Sequence, residues 1–139
     1  MKTYGFKNNI PTLEEYKYLC DSVDWSNYMN FEVAETSLKN SIHCITVKDN
    51  EQIIGMGRIV GDGSIYFYIQ DIVVHPDYQK HGIGKEIMHR LVAYLNENAP
   101  DKAFVGLFAS QGKESFYEKF DFKDYSPNMT GMFTVISKT

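Results

Sequence analysis

What this 139-residue chain is short of narrows the field first. No stretch holds enough consecutive apolar residues to span a bilayer, and the opening Met1-Lys2-Thr3-Tyr4-Gly5 lacks the apolar core of a signal peptide. No membrane is expected as a partner, and a cytoplasmic setting is. Basic charge is also scarce: 14 Lys and Arg face 18 Asp and Glu, a net charge of −4. Without a basic stripe to neutralise phosphates, no nucleic acid is expected either. The two cysteines, Cys20 and Cys44, lie on segments patterned as helix and strand, which suits buried thiols rather than a bridge. His43, His75, His81 and His89 share no ligand spacing with one another or with the cysteines, so no metal is expected. No histidine is placed to activate a serine or cysteine as a nucleophile, which argues against a covalent acyl-enzyme. Linkers and repeats are missing too, and the length suits one core, so residues 1–139 are expected to form a single domain.

What is present centres on residues 66–95. Residues 66–74, Tyr-Phe-Tyr-Ile-Gln-Asp-Ile-Val-Val, are aromatic and β-branched and stop at His75-Pro76, where proline cannot continue a ladder. Past Gly82-Ile83-Gly84, the residues Ile83, Ile87, Leu91 and Leu95 recur every four positions, which predicts an amphipathic helix ended by Pro100. Between strand and helix lies Gln79-Lys80-His81-Gly82-Ile83-Gly84-Lys85. A two-glycine turn lets a ligand approach the backbone, and the free amides of a helix's first turn point one way, forming an anion cradle that Lys80 and Lys85 would assist. A Walker loop is excluded because Glu86 follows Lys85, and a dinucleotide fingerprint because position 87 is Ile.

Around this unit the chain reads as follows. Residues 3–8 suit a short strand. Thr12 with Glu15 forms a capping box ahead of the helical stripe Leu13, Tyr16, Leu19, Cys20 and Val23. Trp25 and Tyr28 sit in a loop, where they either line a pocket or cover the core edge, and a further helix is expected near residues 31–40. Residues 42–48 and 52–60 pair as a hairpin through Asp49-Asn50, and Gly61-Asp62-Gly63-Ser64 turns into the strand at 66–74. Residues 103–109 suit a strand parallel to it, after a right-handed crossover. A helix capped by Ser110 and carrying Phe116, Tyr117 and Phe120 follows, then strands at 122–125 and 132–136. The order is β-α-α-β-β-β-α-β-α-β-β, a mixed α/β sheet.

Val74-His75-Pro76 followed by Gln79-x-x-Gly82-Ile83-Gly84 resembles the acetyl-CoA signature of the GNAT superfamily of N-acetyltransferases, and the element order is similar across essentially the whole chain. Phe116-Tyr117-Glu118-Lys119-Phe120-Asp121-Phe122 resembles that family's Phe-Tyr-x-x-x-Gly-Phe signature. The resemblance implies that acetyl-CoA is the co-substrate. Its pantetheine arm would lie along the backbone of Ile72, Val73 and Val74 at a splay between the parallel strands, and its diphosphate on Gln79, Lys80, His81, Gly82, Ile83, Gly84 and Lys85. An amide near Ile72 or Val73 would polarise the thioester carbonyl, and Tyr117 would protonate the departing thiolate. Two positions depart from the family pattern: Asp121 replaces a glycine where positive φ is needed, and Gln111 replaces an asparagine that contacts the pantetheine arm.

For the general base, Asp71 is the one carboxylate in an apolar strand, so it is a candidate base or amine-binding group, with a structural role as the other reading. Members that carry a base have it at the position of Tyr68, so water held by Tyr68 or Gln70 is an equal option. Strand alternation puts Phe67, Ile69, Asp71 and Val73 on one face and Tyr66, Tyr68, Gln70 and Ile72 on the other. Residues 107–117 with Gly131-Met132-Phe133 are similar to the plant and cyanobacterial arylalkylamine branch, and Trp25, Tyr28, Tyr66 and Tyr68 would suit an aromatic or alkyl amine. The expected partner is thus a small-molecule amine, acetylated by direct attack in a ternary complex, with a homodimer left open. A CoA-binding regulatory module without turnover and a peptide or protein acetylase are the competing expectations.

Overall fold

In the computed structural model, which describes residues 3–138, the chain gathers into two compact units, Met1–Leu107 and Phe108–Thr139. The first is built on a five-stranded sheet of β1 (Gly5–Lys7), β2 (His43–Asp49), β3 (Gln52–Gly61), β4 (Tyr66–Val74) and β5 (Phe104–Gly106), in that spatial order. The first four run antiparallel, and β5 joins β4 in parallel. Helices α1 (Leu13–Ser22) and α2 (Ala34–Lys39) precede β2, and α3 (Ile83–Asn98) makes the crossover between β4 and β5. The mixed α/β sheet expected from the sequence is present.

Helices α1 and α3 are where their patterns put them. Thr12 and Glu15 close the capping box reciprocally, at 2.9 and 3.1 Å, and the α1 stripe delivers Tyr16, Leu19 and Cys20 to a core with Ala34, Leu38, Cys44, Ile53, Met56 and Val73. On the opposite face of the sheet α3 buries Ile83, Ile87, Met88, Leu91 and Leu95. Neighbouring residues of β3 separate the two layers. Met56 belongs to the α1 core, whereas a Cβ on Gly57 would meet Ile72 Cδ1 and Ile87 Cγ2 at 2.6 Å, so Gly57 looks toward α3. Both cysteines are free and buried, and burial pushes the Cys20 thiol up to about 11 and the Cys44 thiol to about 12.

The alternation expected for residues 66–74 is broken midway. Gln70 pairs with Arg58 and Val73 with Met56, so two steps on β3 face three on β4: a bulge, with Asp71 at φ 58. Directly opposed residues share a face. Ile69, opposite Ile59, therefore looks toward α3, while Val73, opposite Met56, looks toward α1. The extra residue flips the faces, so Asp71 and Gln70 fall on the same side instead of opposite ones.

Elsewhere the differences lie toward the C-terminal end. The strand expected over 103–109 pairs only at Phe104–Gly106. In the second unit α4 (Glu114–Glu118) starts after Lys113 rather than Ser110, whose carbonyl accepts the Lys113 amide in a turn. Asp121 does adopt positive φ, at 71°. Residues 122–125 and 132–136 form no strand. Tyr125, Met132, Phe133, Val135 and Ile136 are all exposed, and strand propensity without a paired neighbour does not make a ladder.

Gly57→Ala is expected to cost about 1–3 kcal/mol, because Ile72 and α3 must both retreat from the added methyl. A urea melt at unchanged slope measures it, and a variant as stable as the parent would show that the β3–α3 contact is looser than described.

Candidate active site

The end of β4 is half-unpaired. β5 follows it only through the pairs Tyr66–Phe104, Phe67–Val105 and Tyr68–Gly106; among the described residues no strand continues along that edge. The amide of His75 donates to the Ile54 carbonyl at 2.8 Å, which makes 75–54 and, two residues back, 73–56 the hydrogen-bonded pairs of the β3–β4 ladder. Val73 therefore points its amide at β3, and the amides of Ile72 and Val74 face the open edge. The Val74 carbonyl is taken at 2.9 Å by the side-chain amide of Gln79.

The chain then turns through the 3₁₀ segment Pro76–Tyr78 into the glycine loop. Lys80 at φ 68 and Gly82 at φ 81 both lie in the left-handed region, where glycine is at ease and lysine is not. Gly82 is the N-cap of α3, has no side chain to cap with, and the first helical bond is Glu86 amide to Gly82 carbonyl at 3.1 Å. The amides of Ile83, Gly84 and Lys85 thus have no intrahelical acceptor and no capping side chain, at the positive end of a 16-residue helix. Gln79, Lys80, His81, Gly82 and Lys85 are exposed around them. The N-terminal strand closes one side: Thr3, Tyr4 and Phe6 line a depression of about 330 Å³ with His81, Gly82, Ile83, Glu86 and Arg90. Arg90 is held there by Glu86 at 2.8 Å and lies 4.6 Å over the Phe6 ring.

On the α1 face of the sheet, Tyr16, Trp25, Tyr28, Met29, Arg58, Gln70 and Asp71 line an open cavity of about 410 Å³. Trp25 and Met29 are half-buried against the core, while Tyr28 is exposed at the rim. On the floor, Asp71 is 5% exposed and its carboxylate is used unequally. Oδ2 accepts from Arg58 Nε at 2.8 Å and from the Tyr16 hydroxyl at 3.0 Å, whereas Oδ1 accepts from no described residue. Arg58 Nη1 also donates to the Ser37 carbonyl and Ser41 Oγ, at 3.0 and 3.1 Å, and Nη2 to Ser37 Oγ at 3.1 Å. Burial, and then the charge of Asp71, pushes the Tyr16 phenol well above the ordinary range, so it serves as a donor throughout.

Of the residues singled out in the sequence, Trp25, Tyr28 and Asp71 meet at this cavity, and Ile72, Val73 and Val74 run beside the glycine loop. Tyr66 is exposed and turned edge-on to Phe104, and neither it nor Tyr68 lines the cavity. In the second unit, Tyr117 on α4 is half-buried, which raises its phenol, and Gln111 is exposed. Tyr16 and Arg58 were missed. A lone arginine in the apolar run Gln52–Gly61 requires a buried carboxylate, and Asp71 is the only one in the neighbouring strand. Tyr16 gave no such signal, because a tyrosine in a helical stripe is ordinary core.

Fold and site together have the form of an acyltransferase: an open strand edge leads into a bare helix mouth, with a walled cavity on the adjacent face. The family described as Acetyltransferase (GNAT) domain matches residues 10–132. The chain is 34% identical to an uncharacterized N-acetyltransferase ycf52 of Pyropia yezoensis, over 94% of its own length and 75% of that protein. With the histone acetyltransferase TAP1 of Glycine max it shares 32% identity, over 83% of this chain and 53% of that one. Its fold matches that of SA2161 from meticillin-resistant Staphylococcus aureus at a TM-score of 0.89 and 32% identity, covering 96% and 100% of the two chains. For the GNAT family protein SP0256 of Streptococcus pneumoniae the values are 0.81, 28%, 98% and 100%. The chain belongs to the GNAT acetyltransferase family.

Asp71→Ala is expected to lower stability by about 3–5 kcal/mol, because it strands the Arg58 charge and puts alanine at positive φ. Asp71→Asn keeps an acceptor and a residue that tolerates this backbone, so it should lose clearly less. Chemical denaturation of the two side by side decides the point, and equal losses would mean that Asp71 does not anchor the bulge.

Proposed function

We propose that the protein transfers the acetyl group of acetyl-CoA to the primary amine of a small molecule, by direct attack in a ternary complex. One observation carries the reading: the open edge of β4 runs directly into the uncapped first turn of α3, which is what an acyl-pantetheine with a diphosphate requires. The residues present fit that group. The amides of Ile83, Gly84 and Lys85 would hold the diphosphate with Lys80 and Lys85 beside them, and the outward backbone of Ile72 and Val74 would pair with the pantetheine amides. Acetyl-CoA supplies the acetyl group as a thioester.

The chain's own residues would then act as follows. The amine enters the cavity with its non-reacting part against Trp25 and Tyr28 and its nitrogen near Asp71 Oδ1, the oxygen of that carboxylate to which no described residue donates. As its lone pair forms the C–N bond, the Ile72 amide stabilises charge gathering on the carbonyl oxygen. The C–S bond breaks and the sulfur takes a proton from Tyr117, a role that rests on the family resemblance and on the burial that keeps this phenol protonated. The proton lost by the nitrogen passes to Asp71 or to water at Gln70.

A cavity of about 410 Å³ suits a compact acceptor. One relative is called a histone acetyltransferase, which favours a peptide amine as the second reading. A cytoplasmic setting stays part of the proposal; one relative, from Arabidopsis thaliana, is called chloroplastic. Among the described residues no helix is long and apolar enough to cross a membrane.

Calorimetry with acetyl-CoA should give heat, and amine and peptide panels read by free thiol should show turnover with small amines first. No heat with the coenzyme would remove the assignment, and turnover confined to peptides would replace the acceptor. Tyr117→Phe is expected to lower kcat by about 10²-fold or more with little change in KM. Because burial raises the phenol, the alkaline loss of kcat should begin above its ordinary value of 10.0 in the parent and be absent from the variant. An unchanged profile would free Tyr117 of that role.

A further inference from the structure

The guanidinium of Arg58 is connected beyond the needs of an ion pair. Arg58 is 6% exposed in the middle of β3, and its three nitrogens donate four hydrogen bonds in two directions. One goes across the sheet to Asp71. The other three go to Ser37 on α2 and to Ser41 just beyond it. Asp71 is the residue that makes β4 bulge, in a backbone conformation that costs free energy unless its surroundings impose it, and it lies immediately before Ile72. Tyr16 of α1 grips the same carboxylate oxygen. Arg58, Asp71 and Tyr16 also line the cavity, whose other walls are Gln70 and, in the connection between α1 and α2, Trp25, Tyr28 and Met29. A pair that served stability alone could be replaced by apolar side chains at little loss, and neither the strained residue nor the serine contacts would be needed.

We infer that Arg58 is a positioning residue for acetyl transfer: through Asp71 it fixes the bulge that aims the Ile72 amide, and through Ser37 and Ser41 it ties that bulge to α2, the helix that follows the Trp25–Met29 wall of the acceptor cavity. The inference rests on the acetyltransferase reading above. It predicts that loosening the guanidinium's outer bonds degrades the acceptor side, whereas changing the guanidinium itself degrades the chemical step. Lysine keeps the charge but is a single point donor and cannot bridge both directions.

The test compares Arg58→Lys with the double variant Ser37→Ala/Ser41→Ala, which leaves the ion pair whole and alters one exposed and one half-buried residue, so it is expected to fold even if Arg58→Lys does not. Arg58→Lys should bind acetyl-CoA within threefold of the parent by calorimetry and lose about 10- to 100-fold in kcat, the range expected when an oxyanion donor is misaligned. The serine double variant should raise KM for the acceptor severalfold and keep kcat within about twofold. Amide hydrogen exchange at residues 71–74, read by mass spectrometry, should accelerate at least tenfold in Arg58→Lys. The inference is overturned if kcat and KM per folded molecule stay within twofold in both variants, or if exchange at 71–74 is unchanged. A parent that turns over no amine would defeat the acetyltransferase reading instead, and the exchange comparison between the parent and Arg58→Lys would still decide whether the guanidinium holds the bulge.

Discussion

The architecture turns on one buried oxygen, Oδ2 of Asp71, which receives a guanidinium from β3 and a phenol from α1. A carboxylate with so little access to water is costly unless donors reach it, and these two serve Oδ2 from different layers of the fold. The consequence is geometric. A residue at positive φ is retained in the middle of an otherwise regular strand, and β4 changes face there. Ahead of the bulge, Phe67 and Ile69 pack toward α3; behind it, Val73 packs toward α1. The strand can thereby serve the core on both sides while presenting Ile72 and Val74 along an edge that β5 has left.

That edge and the mouth of α3 are consecutive in the chain, and the link between them is held in place from two sides. Gln79 turns back onto the carbonyl of Val74, the last residue of β4, and Tyr78 donates to Asp49 at 2.8 Å, fixing the turn to the end of β2. Positive φ at Lys80 and Gly82 then reverses the chain so that α3 begins with its amides outward. Gly82 has no neighbouring atom that a Cβ would strike, so its requirement is conformational rather than steric. At Gly57 the reverse holds: there the backbone is ordinary and the space is occupied. Two glycines are thus needed for different reasons, one to shape the turn into α3 and one to let α3 lie close against the sheet behind it.

Local chemistry made much of this legible in the sequence. The capping box, the four-residue stripe of α3, the Asn50 turn and the proline after β4 each specify an element without reference to the rest of the chain. The glycine cradle is equally local, since its parts lie within seven residues. The bulge could not be read that way. It exists because Arg58 and Tyr16, thirteen and fifty-five residues away, converge on Asp71, and periodicity carries no record of such a partner. Alternation therefore assigned Asp71 to the face of Ile69. The C-terminal segments failed for a related reason: Met132-Phe133-Thr134-Val135-Ile136 has the composition of a strand, but a strand is defined by its neighbour, and no neighbour pairs with it in the described residues.

On the proposed function, the division of labour within Asp71 also bears on which amines the cavity would favour. Arg58 matches the carboxylate charge for charge, so the floor is close to neutral as a whole, and the remaining walls, Trp25, Tyr28, Met29 and Gln70, carry no charge. If amines bind there as proposed, such a cavity would offer an incoming ammonium little attraction of its own, and selection would come from contact with the rings and from one directed bond to Oδ1. Contact area on two aromatic side chains rewards a flat or extended apolar body, and a single acceptor oxygen orients one nitrogen. An acceptor with a second charge would have to leave that charge in solvent past Tyr28. The same reasoning explains why a buried ion pair is placed here at all. In the proposed reaction it would supply a fixed acceptor beside the attacking nitrogen while cancelling the field that would otherwise hold the protonated, unreactive form of the amine.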